Sequence, residues 1–385
     1  MHNFEYHNAT RIVFGKETIA RLADLVPADA RVLFAFGGGS IRRNGVYDQV
    51  KQALGARVVE EFQGIEPNPR YETLMRAVEL VREEKLDFML AVGGGSVVDG
   101  VKFIAAAAVY AGDDPWRMMA DHGASVKAAL PMGVVLTLPA TGSEMNNTAV
   151  VTRESTKDKL HFASPHVLPK FSILDPETTF SLPPHQVANG VVDAFVHVME
   201  QYMTYPVGAA LQDRQAEGIL LTLIEQGPKA MERPDDYAVR ANIMWTATQA
   251  LNGLIGVGVP QDWATHMIGH EITALYGLDH AVTLAIVLPG LLRHKKNEKR
   301  EKLLQYAGRV WGVTSGTEDE RIEAGIARTE EFFRLMGLRT KLSEHDIPAS
   351  DATRIAKARE RHGLPLGERG DIGVRDIVAI LERCA

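Results

Sequence analysis

The chain has 385 residues, more than one hydrophobic core usually serves, so two domains are expected. Composition is that of an ordinary globular protein, and a net charge of -7 with a pI near 6.0 excludes a nucleic-acid footprint. A single cysteine, Cys384, excludes a disulfide framework or thiolate metal cluster and fits a reducing cytoplasm, while no apolar run approaches the ~18 residues of a membrane span.

The opening MHNFEYHNATRIVFG lacks the apolar region of a signal peptide, so a soluble, unexported protein is expected. From Arg31 to about Asp175, short apolar runs alternate with helical patterns. Candidate strands are RVLFAF from Arg31, ARVVEEF from Ala56, DFMLAV from Asp87, MGVVLTL from Met132 and FSILD from Phe171. Between them, YETLMRAVELVREEK from Tyr71 and VVDGVKFIAAAAVY from Val97 repeat apolar residues at helical spacing. This alternation predicts an α/β domain with a largely parallel sheet. Proline pairing and a switch of period at Ser181–Pro184 set the expected boundary, giving an α/β domain over 1–182 and an all-helical domain over 183–385. The basic RHKKNEKREK from Arg293 to Lys302 is expected to be a solvated helix face.

Two of the predicted strands end in the same four residues: Gly37, Gly38, Gly39 and Ser40 after the first, Gly93, Gly94, Gly95 and Ser96 after the third. Both turns fall at C-terminal strand ends opening towards helices, where open α/β sheets bind ligands. In AVGGGSVVDG the missing β-carbons permit close backbone approach, and the following helix offers unpaired N–H groups to an anion, as a pyrophosphate cradle requires. An ordinary tight turn is the alternative. Beyond the fourth strand, Thr137, Thr141, Gly142 and Ser143 in TLPATGSE are suited to lining a nicotinamide ribose or amide, and equally to forming a hydrogen-bonded loop.

In NGVVDAFVHVMEQY, Asp193 and His197 are four residues apart, hence on one helix face. Further on, His266, His270 and His280 interrupt an otherwise apolar stretch, where a buried ring nitrogen needs a partner. One carboxylate with two or three imidazoles suits Zn²⁺ or Fe²⁺, with an open coordination position if the site is catalytic.

GGGSVVDG (Gly93–Gly100), TLPATGSE (Thr137–Glu144), DAFVH (Asp193–His197) and HMIGHEITALYGLDH (His266–His280) together resemble the iron-containing, or group III, alcohol dehydrogenases. Within that family the chain resembles the branch of butanol dehydrogenases and broad-range aldehyde reductases. The resemblance implies a Rossmann-like N-terminal dinucleotide-binding domain, an all-helical C-terminal domain of dehydroquinate synthase-like fold, and a metal in the cleft between them. It implies one divalent ion, Fe²⁺ or Zn²⁺, held by Asp193, His197, His266 and His280, with His270 beside the metal and the nicotinamide rather than ligating. Asp99 and Lys159 match positions near the cofactor.

In relatives the first turn meets the adenosine ribose, and NAD users tend to carry an aspartate there. FGGGSIRRNG has no acid; Gly38, Gly39 and Ser40 leave room and donors for a 2′-phosphate, and Arg42 and Arg43 raise the local potential. NADP(H) is therefore expected over NAD(H). The expected function is hydride transfer between NADP(H) and small primary alcohols or aldehydes, in a cytoplasmic homodimer paired through an N-terminal strand. The alternatives are an NAD-dependent enzyme like glycerol dehydrogenase and a metal-dependent lyase like dehydroquinate synthase.

Overall fold

A computed structural model describes residues 1–385, which divide into two compact units. One unit comprises His7–Leu182 with Pro234–Thr248, the other Met1–Tyr6, Pro183–Arg233 and Gln249–Ala385. The first unit is built on a six-stranded, wholly parallel sheet. Its strands are β1 (Arg11–Phe14), β2 (Arg31–Phe36), β3 (Val58–Gln63), β4 (Phe88–Gly94), β5 (Met132–Leu138) and β8 (Phe171–Leu174), in the order β1-β8-β5-β4-β2-β3.

The continuous apolar runs are explained by burial on both faces. Leu33, Ala35, Met89, Ala91, Val134 and Leu136 point into one core, which the helices Tyr71–Glu83 and Gly95–Ala108 cover with Leu74, Ala77, Val78, Val98 and Val101. Their sequence neighbours Val32, Phe34, Phe36, Leu90, Val92 and Val135 enter a second core, covered by Val46, Val50 and Leu54 of the helix Val46–Leu54. A period of two thus sorts each strand between two cores.

The chain runs from β2 outward to β3, then returns to place β4 on the other side of β2 and continues outward to β5. The strand order therefore reverses between β2 and β4, the two strands that end in Gly-Gly-Gly-Ser. An antiparallel hairpin of β6 (Thr148–Arg153) and β7 (Asp158–Ala163) stands apart from this sheet. In β6 the buried Ala149 and Val151 alternate with half-buried residues, and in β7 only Lys159 and Phe162 are buried.

The second unit is helical. It includes the helices Pro184–Tyr202, Ala210–Glu232, Ala264–Tyr276, His280–His294, Arg300–Arg309, Glu318–Leu335, Ala352–Arg361 and Val374–Glu382. His280–His294 is buried along nearly its whole length, from Ala281 to Leu292, as expected of a helix apolar on every side.

The units depart from a single cut after residue 182 in two places. Met1–Tyr6 joins the helical unit, where His2 N–H donates to Gly258 O at 2.9 Å. Pro234–Thr248 joins the sheet unit: Trp245 meets Phe14 edge-on at 6.2 Å, Met244 enters the sheet core, and the Thr248 hydroxyl donates to Glu144 at 2.5 Å.

The basic stretch Arg293–Lys302 also differs from a solvated face. Lys295, Lys299 and Lys302 are buried and paired: Lys295 with Asp371 at 2.8 Å, Lys299 with Asp262 at 2.7 Å and Glu368 at 2.8 Å, and Lys302 with Asp213 at 2.7 Å. The burial is possible because the carboxylates arrive from distant segments, which local charge patterning does not record.

Candidate functional site

In the helical unit, Asp193 and His197 lie on successive turns of the helix Pro184–Tyr202, both buried. His266 comes from the first turn of Ala264–Tyr276. That helix ends at Gly277, whose φ of +73° gives the left-handed C-terminal turn that a residue with a β-carbon adopts only with strain. After the short turn His280 opens the next helix. The Nε2 atoms of His197, His266 and His280 lie 3.7, 4.0 and 3.7 Å from Asp193 Oδ1. One donor atom each from Asp193, His266 and His280 all fall within 4.8 Å of one another.

These separations exceed hydrogen-bond lengths and fit donor atoms gathered around a common point. Burial pushes the His197 imidazole down to about 4, against the opposing pull of Asp193, so it is neutral near pH 7 as a metal ligand must be. A buried carboxylate with three imidazoles fits Zn²⁺ or Fe²⁺. His270, one turn beyond His266, is buried beside the group, its ring 5.2 Å from that of His280. Trp263 flanks the site at 5.2 Å from the His266 ring. Trp245 belongs to the sheet unit, against Phe14.

In the sheet unit, the glycines of the second turn are required by packing. A β-carbon on Gly93 would fall 2.6 Å from Val97, and one on Gly95 only 2.4 Å from the Thr141 hydroxyl; at Gly94 it would meet Leu138 at 3.0 Å. The helix Gly95–Ala108 begins without a side-chain cap, so its first N–H groups remain available to an anion. Ser96 Oγ accepts from Asn68 N–H at 3.3 Å, and Lys159 donates to Asn68 Oδ1 at 2.8 Å, which brings an ammonium group to the edge of this turn.

Thr137 lies mostly buried in β5, and Thr141 Oγ1 accepts from Ser143 N–H at 3.1 Å. Asp99 and Ser143, expected at the cofactor, are turned towards each other. Ser143 Oγ donates to Asp99 Oδ1 at 2.6 Å and accepts from buried Lys102 at 2.8 Å, while Asp99 Oδ2 accepts from Val150 N–H. These two residues hold the TGSE loop against the helix behind the turn.

The first turn is more open. Gly38 and Ser40 are exposed, and a β-carbon on Gly38 would meet nothing within 4 Å. Gly39 has φ +92° at the start of the one-turn helix Ser40–Arg43. Arg43 is exposed, but Arg42 is less free than its sequence position suggests: it pairs with Glu61 at 2.9 Å and lies 4.0 Å over the Tyr47 ring.

The family description "iron-containing alcohol dehydrogenase" matches residues 9–176, and its C-terminal counterpart matches residues 187–385. The chain belongs to the iron-containing alcohol dehydrogenase family. Among curated members of this family, it is 61% identical over 374 residues to the NADPH-dependent aldehyde reductase YqhD of Escherichia coli K12, covering 97% of each chain. A crystal structure of E. coli K-12 YqhD superposes with a TM-score of 0.99 at 59% identity, covering 100% of this chain and 99% of that one. The NADH-dependent butanol dehydrogenase A of Thermotoga maritima gives a TM-score of 0.96 at 37% identity, with 100% and 99% covered.

One residue that the sequence reading passed over stands at this iron-containing alcohol dehydrogenase site. Glu200 lies seven residues after Asp193 on the same helix stripe, and its carboxylate meets His266 Nδ1 at 2.9 Å. The spacing 193, 197, 200 was the available signal, since i, i+4 and i+7 share a face.

Proposed function

We propose that this protein is a metal-dependent alcohol dehydrogenase acting as an aldehyde reductase, with NADP(H) and small uncharged aldehydes or primary alcohols as substrates. The observation that carries the reading is the convergence of three imidazoles on Asp193 in a chain whose other unit places a glycine-bounded, uncapped helix start at the strand-order reversal. Family membership and the NADPH-dependent relative support it.

In this reading Asp193, His197, His266 and His280 hold one divalent ion, Fe²⁺ or Zn²⁺. Gly93, Gly94, Gly95 and Ser96 take the cofactor pyrophosphate, with Lys159 adding charge at the turn's edge. Thr137 and Thr141 border the nicotinamide end, and Asp99 and Ser143 act behind it. A bound cation supplies Lewis-acid polarisation of the carbonyl oxygen, and the nicotinamide supplies the hydride in reduction and takes it in oxidation. His270 holds the proton that the alkoxide oxygen receives, so that aldehyde, NADPH and a proton become primary alcohol and NADP⁺. Burial of Asp193, His197, His266 and His270 limits water around the reacting oxygen and strengthens the electrostatic interactions there.

Gly37, Gly38, Gly39 and Ser40 receive the adenosine ribose. Preference for the 2′-phosphate rests on the open, acid-free surface at Gly38 and Ser40 and on exposed Arg43, with Arg42 sharing its charge with Glu61. The same absence of an acid disfavours the NAD-dependent alternative. A cytoplasmic homodimer completes the proposal: β1 occupies an edge of the sheet, pairing only with β8 within the chain.

The test is butyraldehyde reduction by metal-reconstituted protein with NADPH and NADH, each repeated after chelation. Chelator-sensitive turnover favouring NADPH is expected. Turnover that survives verified metal removal would overturn the metal assignment, and a preference for NADH would overturn the reading of the first turn.

A further inference from the structure

His266 is held from the side opposite its metal-facing nitrogen. Glu200 Oε1 accepts the His266 backbone N–H at 2.9 Å, and the same oxygen lies 2.9 Å from His266 Nδ1. Because Oε1 already receives an N–H, it acts as an acceptor. As a carboxylate it can only accept, so the contact with the ring is then a donation from Nδ1–H. The proton on Nδ1 leaves a lone pair on Nε2, the nitrogen that faces Asp193 Oδ1 at 4.0 Å.

The carboxylate is itself fixed. Glu200 is 2% exposed, and its backbone O accepts from Asp262 N–H at 2.9 Å. Asp262 Oδ1 accepts from Ala264 N–H at 2.9 Å at the start of the helix carrying His266, while its Oδ2 meets Lys299 at 2.7 Å. Lys299 donates as well to Met203 O at 2.7 Å and to Glu368 at 2.8 Å. A buried cation therefore joins three carboxylate-bearing segments around one turn. On the ring's other side the His197 imidazole stacks at 4.7 Å, which further limits rotation.

We propose that Glu200 is a positioning residue for the metal centre, locking His266 in the Nδ1–H tautomer so that Nε2 is presented to the cation and is made the stronger donor. The inference rests on the metal-binding reading above. A carboxylate behind a ligating imidazole is a general means of tuning metal sites. Its placement here is specific: buried His197 Nδ1 has no such carboxylate in hydrogen-bonding contact.

The experiment uses full-length Glu200→Gln and Glu200→Ala beside the unaltered protein, with Zn²⁺ affinity measured by competition against a chromophoric chelator. Wild-type protein and Asp193→Ala are run first; equal Zn²⁺ binding by these two would indict the metal-site reading and leave the role of Glu200 to the tautomer measurement below. The expected result is a roughly 10- to 100-fold weaker Zn²⁺ affinity in Glu200→Ala. Glu200→Gln, which keeps an acceptor oxygen without its charge, is expected to fall between.

The ring tautomer gives a readout that does not depend on metal. In ¹⁵N-histidine-labelled, metal-free wild-type protein, His266 is expected to carry its proton on Nδ1, with the signal assigned by its loss in His266→Gln. A proton on Nε2 instead would overturn the proposal, even if the Glu200 variants fail to fold. So would undiminished Zn²⁺ affinity in a folded Glu200→Ala.

Discussion

Phe36 of β2 lies directly opposite Val92 of β4, so the two Gly-Gly-Gly-Ser turns leave the sheet side by side from neighbouring strands. This register answers why the same four residues occur twice. The strand order reverses between these strands, opening a crevice at their C-terminal ends, and in the proposed reading each turn forms one wall of the nucleotide site.

The first wall supplies a test of cofactor choice. An acid at Gly38 has space for its side chain and no left-handed backbone to oppose it. Gly38→Asp is expected to lower the NADPH-to-NADH ratio of kcat/KM by about tenfold or more, the equivalent of about 1.4 kcal/mol of repulsion against the 2′-phosphate. Gly39 is the poorer place for the acid, with φ at +92° and a β-carbon 3.1 Å from the Gln63 amide. Gly39→Asp should lose about 1–2 kcal/mol of stability in urea unfolding, whatever its effect on the cofactor.

Asp193 contributes the anionic oxygen shared by the three imidazoles. Asp193→Ala is expected to weaken Zn²⁺ binding by more than the ~10- to 100-fold typical of losing an outer-shell partner, and to abolish aldehyde reduction. NADPH binding, followed by nucleotide fluorescence, should change little because the turns belong to the other unit. Full turnover in metal-free Asp193→Ala would contradict the mechanism.

Lys102 is fully buried and donates to Ser143 Oγ, Asn146 O, Asn146 Oδ1 and Thr148 O, all at 2.8 to 3.0 Å. Removing it leaves those buried acceptors without their donor and takes away the cation whose pull opposes the upward push of burial on the Asp99 carboxyl. Lys102→Met should destabilise the sheet unit by about 3–5 kcal/mol in urea unfolding. Lys102→Arg, which keeps the charge but not the shape, tests whether charge alone suffices.

His197 gives the metal-free protein a pH dependence of known sign. Its imidazole titrates near 6.5 when unfolded and is pushed down to about 4 by burial in the folded chain. Between those values the unfolded state binds the extra proton, so this group makes folding stability rise with pH from 4 to 6.5 and fall as pH is lowered through the same window. Acting alone it would contribute about 3 kcal/mol across the window. Urea unfolding of metal-free protein at several pH values should therefore give a steeper slope for wild type than for His197→Gln.

The sequence by itself determined the parts of this protein that repeat locally. Short apolar runs marked five of the six strands of the parallel sheet, glycine turns closed two of them, and a four-residue spacing put Asp193 and His197 on one helix face. The proline pair marked the change from sheet to helix near Leu182. The tertiary structure decided which side chains meet across long separations. It drew His280 onto Asp193, set Glu200 against His266, returned Pro234–Thr248 to the sheet unit, turned Asp99 and Ser143 inward, and buried Lys295, Lys299 and Lys302 in a stretch that reads as solvated. The physical reason is that a local pattern records which face of an element is apolar, whereas the fate of a buried charge depends on the partner that arrives. For Lys299 those partners are Asp262 and Glu368, 37 and 69 residues away along the chain.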